Sequence, residues 1–171
     1  VVLGKTVKFE DLVKREGLYY KKSTSVPFSG KVTGKEQGKI KNGKKEGRWK
    51  IYNKNGRVEK EIILRNGKET GSEVRYKYHS NGQLNYKGTY KDGKSEGPWV
   101  KYWSNGQLFG KGDYKNGKKE GPWESYQENG QLWNKGTYKN GEREGPWVDY
   151  YKDGTVHENL TGTYRNGVKV D

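Results

Sequence analysis

The feature that most constrains this chain is a residue pair, Asn-Gly or Asp-Gly, that returns at a nearly fixed interval. The pair begins at Asn42, Asn66, Asp92, Asn116, Asn140 and Asn166, at intervals of 24, 26, 24, 24 and 26 residues. A second such pair stands inside every interval, at Asn55, Asn81, Asn105, Asn129 and Asp153. Two turns per repeat leave segments of roughly 8 to 10 residues, which suit strands and are short for helices. A two-residue type I′ turn needs positive φ at both central positions, which Asn, Asp and Gly tolerate, so every pair is expected to close a hairpin. The sequence therefore reads as five tandem hairpin repeats of about 24 residues over 42–171.

The register of one hairpin follows from its turn. Taking Asn105-Gly106 as a two-residue loop pairs Trp103 with Leu108, Lys101 with Gly110 and Trp99 with Gly112. Directly opposed side chains share a face. One face should then carry Trp99, Lys101, Trp103, Leu108, Gly110, Gly112 and Tyr114, and the other Val100, Tyr102, Phe109, Lys111, Asp113 and Lys115. Trp99 is expected to cover Gly112, filling the space that the missing side chain leaves. Continuing through Asn116-Gly117 sets Trp123 opposite Gly110. The pattern recurs as Trp49, Trp99, Trp123 and Trp147, with Gly88, Gly112 and Gly136. The second repeat departs from it: "GSEVRYKYHSNG" has two extra residues and no Trp, while in the first repeat Ile62 stands where the others have glycine. A bulge near residues 71–78 is expected there.

Composition decides how such strands can pack. Only 28% of residues are apolar and 33% are charged, which is poor material for a thick core. The 14 Tyr, 6 Trp and 26 Gly leave flat rings and bare backbone to share the packing. With no Cys, a disulfide framework is excluded. The expected fold is all-β: an elongated, twisted single-layer antiparallel meander of tandem β-hairpins, about 55 Å long for a dozen strands. Residues 1–41 read as a divergent N-terminal cap of short strands with a Glu16-Gly17 turn. The helical spacing of Phe9, Leu12 and Val13 offers one short helix as the alternative. No stretch approaches the ~20 apolar residues of a membrane-spanning helix. Val1 in place of Met reads as a trimmed chain, which leaves an exported origin and a cytoplasmic one both open.

The phrase "NGKKEGPWESYQENGQLWNKGTYKNG" resembles the bacterial variant of the MORN repeat, and the resemblance covers about residues 42–167. It implies tandem β-hairpins whose repeat residues are mainly structural, with no shared catalytic residues. Some bacterial proteins of this type are antitoxin-like partners in toxin–antitoxin systems. Other MORN repeats are linked to membrane phospholipids or to protein assembly. The N-terminal "LVKREGLYYKK" and "VPFSGKVTG" look like the lead-in of exported members.

The residues themselves point to binding. His79 and His157, the only histidines, form no zinc or triad pattern, and no cofactor, metal or catalytic residue is expected. Glu46, Glu96, Glu120 and Glu144 recur before glycine, which suits service to a turn better than paired catalytic carboxylates. A net charge of +14 favours anionic partners. Lys87, Lys111 and Lys135 should form one basic column and Lys91, Lys115 and Lys139 a second, opposite an aromatic face of Trp99, Trp103, Tyr114, Trp123, Trp133, Tyr138 and Trp147. The leading expectation is a non-enzymatic module that binds a protein through the aromatic face or an open sheet edge. The alternatives are attachment to anionic phospholipid or polyanion through the lysines, and glycan or cell-wall binding on the Trp and Tyr rings. Interleaved acidic residues and scarce Arg argue against nucleic acid.

Overall fold

A computed structural model describes residues 5–171. The strands are β1 (Thr6–Lys8), β2 (Leu12–Arg15), β3 (Leu18–Lys21), β4 (Gly30–Thr33), β5 (Glu36–Lys41), β6 (Lys44–Tyr52), β7 (Val58–Arg65) and β8 (Lys68–Tyr78). They continue as β9 (Leu84–Lys91), β10 (Lys94–Tyr102), β11 (Leu108–Lys115), β12 (Lys118–Tyr126), β13 (Leu132–Lys139), β14 (Glu142–Asp149), β15 (Gly162–Arg165) and β16 (Val168–Lys169). The fold is all-β, a mostly antiparallel meander of hairpins that does not close into a barrel. The one helical feature among the described residues is a single 3-10 turn at Phe9–Asp11, so Leu12 and Val13 belong to a strand and not to the alternative helix. Contacts divide the chain into two compact units, residues 1–75 and 76–171, with the boundary inside β8.

In the first unit the strand order is β1-β4-β5-β6-β7-β8, and β1 runs parallel to β4. The β2–β3 hairpin stands apart from this sheet. The core is largely aliphatic: Phe28, Val32, Ile40, Ile62 and Leu64 surround Trp49, and Phe9, Leu12 and Tyr19 pack against it. In the second unit β9 to β16 follow one another in chain order, all antiparallel. Its core is aromatic, built from Trp123, Trp147 and Tyr164 with Trp99, Tyr114 and Tyr138 against them.

The Asn-Gly pairs make two kinds of turn, where the sequence suggested one. At Asn42, Asn66, Asp92, Asn116, Asn140 and Asn166 both the residue and its glycine have positive φ, as in a type I′ turn. At Asn105 only Gly106 does, with φ +86. There Gly106 N–H donates to the Trp103 carbonyl at 3.0 Å and Trp103 N–H to the Gln107 carbonyl at 2.8 Å, a longer loop ending in a glycine bulge. The extra residue slips the register, so that Leu108 pairs with Tyr102 and not with Trp103. Phe109 becomes unpaired and turns to the tryptophan side, its ring 4.7 Å from both Lys101 Nζ and the Trp103 ring.

A second slip decides which indole covers which glycine. Between the pairs Lys111–Glu124 and Asp113–Glu120, three residues of β12 oppose Gly112 alone. This segment is Gly121, at φ +72, then Pro122 and Trp123. Gly110 consequently faces Ser125, not Trp123. A β-carbon built on Gly112 would overlap the Trp123 indole; Trp99 instead covers Gly88, Trp147 covers Gly136 and Trp49 covers Gly38. Each indole thus leans toward the preceding hairpin, so Trp99 does not cover Gly112 although the two residues are paired. In the first repeat Ile62, 4% exposed, fills the recess with its own side chain. The added residues lengthen β8 to 11 residues; its register shift, between Leu64–Glu69 and Ile62–Glu73, reaches into the expected stretch but is the same three-against-one slip that the other repeats show.

Candidate binding site on the aromatic face

Trp99, Tyr114, Trp123, Tyr138 and Trp147 form one continuous row in the second unit, with neighbouring ring centroids 4.9 to 6.0 Å apart and mostly edge to face. Most of this row is packed. Trp123 and Trp147 are 8% and 1% exposed, and their indole N–H groups donate to the carbonyls of Asp113 and Thr137. Trp103 and Trp133 belong to a second group nearer the internal turns, where Phe109 stands between them. Trp103 donates its indole N–H to the Tyr126 carbonyl at 3.0 Å. Trp133 is 44% exposed.

A cation four residues before each buried tryptophan closes the row from above. Lys45 lies over Trp49 at 4.4 Å, Lys119 over Trp123 at 4.4 Å and Arg143 over Trp147 at 4.2 Å. The equivalent residue before Trp99 is Ser95, which offers no cation. Trp99 instead stacks on Tyr86 at 4.6 Å, and its buried indole nitrogen has no hydrogen-bond partner. Beside this irregular repeat lies a cavity of about 240 Å³, lined by Trp99, Phe109, Tyr114, Trp123, Lys119 and Ser125 with Lys101 and Gly110. Burial, with Arg143 adding repulsion, pushes the Lys119 ammonium below the ordinary lysine range. Burial, then Tyr90 and Tyr138, pushes the Tyr114 phenol up, which keeps it a donor.

The lysine columns lie on the opposite face. The cross-strand row reads Lys87, Val100, Lys111, Glu124, Lys135 and Val148. Glu124 therefore interrupts the first column, and it pairs with Lys111 at 3.2 Å. Its carboxyl is held below the usual range, first by the Tyr126 hydroxyl and then by Lys111. The second column flanks the type I′ turns, where cations oppose one another directly: Lys91 with Lys94 and Lys115 with Lys118. Lys41 with Lys44 and Arg65 with Lys68 repeat the arrangement in the first unit. Lys139 faces Glu142 instead.

The other candidates have structural roles. Glu46, Glu96, Glu120 and Glu144 accept from the backbone N–H of Asn66, Asn116, Asn140 and Asn166, one turn ahead, at 2.7 to 2.9 Å. His79 reaches the Tyr102 carbonyl through Nε2 at 3.0 Å, and His157 stacks on Tyr151 at 4.2 Å. Among the described residues no group of His, Cys, Asp or Glu is placed to hold a metal ion, and no helix is long and apolar enough to cross a membrane. The repeat pattern alone does not single out Lys119 or Ser125, and it puts Phe109 on the opposite face. The signal for Lys119 was nevertheless present, as the basic residue four places before Trp49, Trp123 and Trp147.

Recurring hairpins with a cation over a tryptophan over a glycine define a repeat-based binding module. Residues 45–66, 74–92, 95–116 and 119–140 match the MORN repeat variant, and the chain belongs to the MORN repeat family. No curated protein gives a significant match.

Proposed function

We propose that the chain is a non-enzymatic protein-binding module that engages its partner around the third and fourth repeats, on the tryptophan side of the second unit. The observation carrying this reading is the cavity beside Trp99, where the series of covering cations lapses at Ser95 and rings remain accessible. Phe109 and the exposed Trp133 extend the apolar surface along the same side. Trp and Tyr in such settings are the residues that most often dominate the energetics of protein interfaces. Beyond the cavity the aromatic row supports this surface and is not itself the contact, because Trp147 is buried.

The test is co-purification from cells expressing the tagged chain, at moderate salt. A partner that is lost with Phe109→Glu and Trp133→Ala, and kept with Lys111→Glu/Lys135→Glu, supports the reading; the reverse pattern overturns it. One observation favours a second reading, attachment to an anionic surface. Directly opposed like charges destabilise a hairpin, yet Lys91–Lys94 and Lys115–Lys118 place four cations at successive turns. Binding to phosphatidylserine vesicles that collapses as salt rises would favour it.

A further inference from the structure

Lys45, Lys119 and Arg143 occupy equivalent places, yet two of the three have a carboxylate partner and one does not. Lys45 pairs with Glu36, and Arg143 grips Asp149 through two bonds of 2.6 and 2.9 Å. Among the described residues no carboxylate lies within ion-pair distance of Lys119. The register explains why. Glu36 stands two residues before Gly38, the glycine beneath Trp49. In the Lys119 repeat the glycine beneath the indole is Gly112, and two residues before it stands Gly110. Asp149 stands two residues after Trp147; two residues after Trp123 stands Ser125. Both positions from which sister repeats supply a carboxylate are therefore reduced to Gly and Ser, and both line the cavity together with Lys119.

We infer that this cavity is an anion subsite that receives the carboxylate of a glutamate or aspartate side chain from a partner protein. The inference rests on the protein-binding reading above and specifies its chemistry. A half-buried ammonium that has lost hydration without gaining an anion is costly, and an incoming carboxylate relieves that cost. Lys101 supplies a second cation at the wall, and the Ser125 and Tyr114 hydroxyls supply donors. About 240 Å³ accommodates one acidic side chain with its methylenes among the rings. A sugar acid suits the site less well, because stacking needs a free ring face. Here Trp99 is stacked by Tyr86, Trp123 lies beneath Lys119, and Tyr114 meets both indoles edge to face.

The test uses the full chain and a blocked hexaglutamate peptide, with hexaglutamine as control, followed through the Lys ε-CH₂ signals in NMR. Hexaglutamate should shift the Lys119 signal saturably, and hexaglutamine should not. Ser125→Asp copies the Arg143–Asp149 arrangement; it should weaken hexaglutamate binding at least tenfold and raise the melting temperature. Lys119→Gln should weaken binding similarly, whereas Lys111→Gln should leave it within twofold. Unchanged affinity in Ser125→Asp, or equal shifts at the exposed turn lysines, would overturn the subsite. Tighter response to inorganic phosphate or to oligogalacturonate would overturn the assignment to a protein carboxylate. A cellular partner lost with Phe109→Glu but kept with Ser125→Asp sinks the subsite alone. A partner indifferent to Phe109→Glu sinks the protein-binding reading, and the peptide titration then decides the subsite separately.

Discussion

Trp49 and Trp123 rest on equivalent glycines beneath equivalent lysines, but they are enclosed by different means. In the first unit Phe9 meets Trp49 at 6.3 Å, aliphatic side chains fill in around it, and Lys45 has Glu36. In the second unit Trp123 has Tyr114 and Tyr138 at its edges and a lysine without a carboxylate above. The first arrangement completes a core. The second uses the same parts but leaves an ammonium and a cavity beside the ring. One repeat pattern is thus closed by an aliphatic core in one unit and left with a cavity beside its ring in the other.

The largest test of this comparison is to remove the rings. Trp49→Ala should cost about 3–5 kcal/mol in urea denaturation, the usual range for a fully buried aromatic. Trp99→Ala should cost less than half as much, since its indole nitrogen has no partner and the cavity lies alongside it. Equal losses would erase the distinction. Next in size is the recess. Gly112→Val should cost about 1–3 kcal/mol through overpacking. The penalty should shrink in a Trp123→Ala background and persist in Trp99→Ala, with a coupling above about 0.5 kcal/mol in the first cycle. Coupling to Trp99 instead would mean the indoles lean the other way.

The turns give a smaller contrast. Asn116, at φ +51, should lose about 1–2 kcal/mol on change to Ala. Asn105→Ala should lose about 0.5–1 kcal/mol, from its bonds to Gln107 N–H and the Glu128 carbonyl alone. Melting of the two variants side by side checks the order. The smallest effect concerns acid. Burial raises the Glu73 carboxyl, but Lys60 and Arg75 outweigh it and hold the group below its ordinary range. Its contribution is full above the unfolded value of about 4.3 and is lost as pH falls through the lower folded value. Glu73→Gln should flatten that part of the stability profile by under about 1 kcal/mol.

The strands could be read from the sequence because turn spacing and the Trp–Gly alternation agree with each other. The Trp99–Gly112 and Lys101–Gly110 pairs were both correct. Two things could not be read. Asn-Gly fits a type I′ turn and a longer glycine-bulge loop equally well, and only the backbone distinguishes Asn116 from Asn105. That one-residue difference moved Phe109 across the sheet and into the cavity wall. Trp99 is also paired with both Gly88 and Gly112, so the direction of its indole depends on how the residues ahead of the ring bend the strand. The site was hardest to see because it consists of missing groups. A serine at 95, a glycine at 110 and a serine at 125 mean little until they are set beside Arg143, Glu36 and Asp149.

The glutamates that close each next turn give the array a direction in time. Glu96 accepts from Asn116 and Glu120 from Asn140, so each acceptor precedes its donor by 20 residues. Asn81 and Asn105 also reach forward, here as donors, to the carbonyls of Ser104 and Glu128. A nascent chain, emerging from its first residue onward, therefore presents each new hairpin to a partner surface already made. Loss of hairpins from the far end leaves the last glutamate and the last Asn amide to water. Loss from the near end leaves the next turn without its glutamate. The chain is in this sense built to be finished in the order in which it is synthesised.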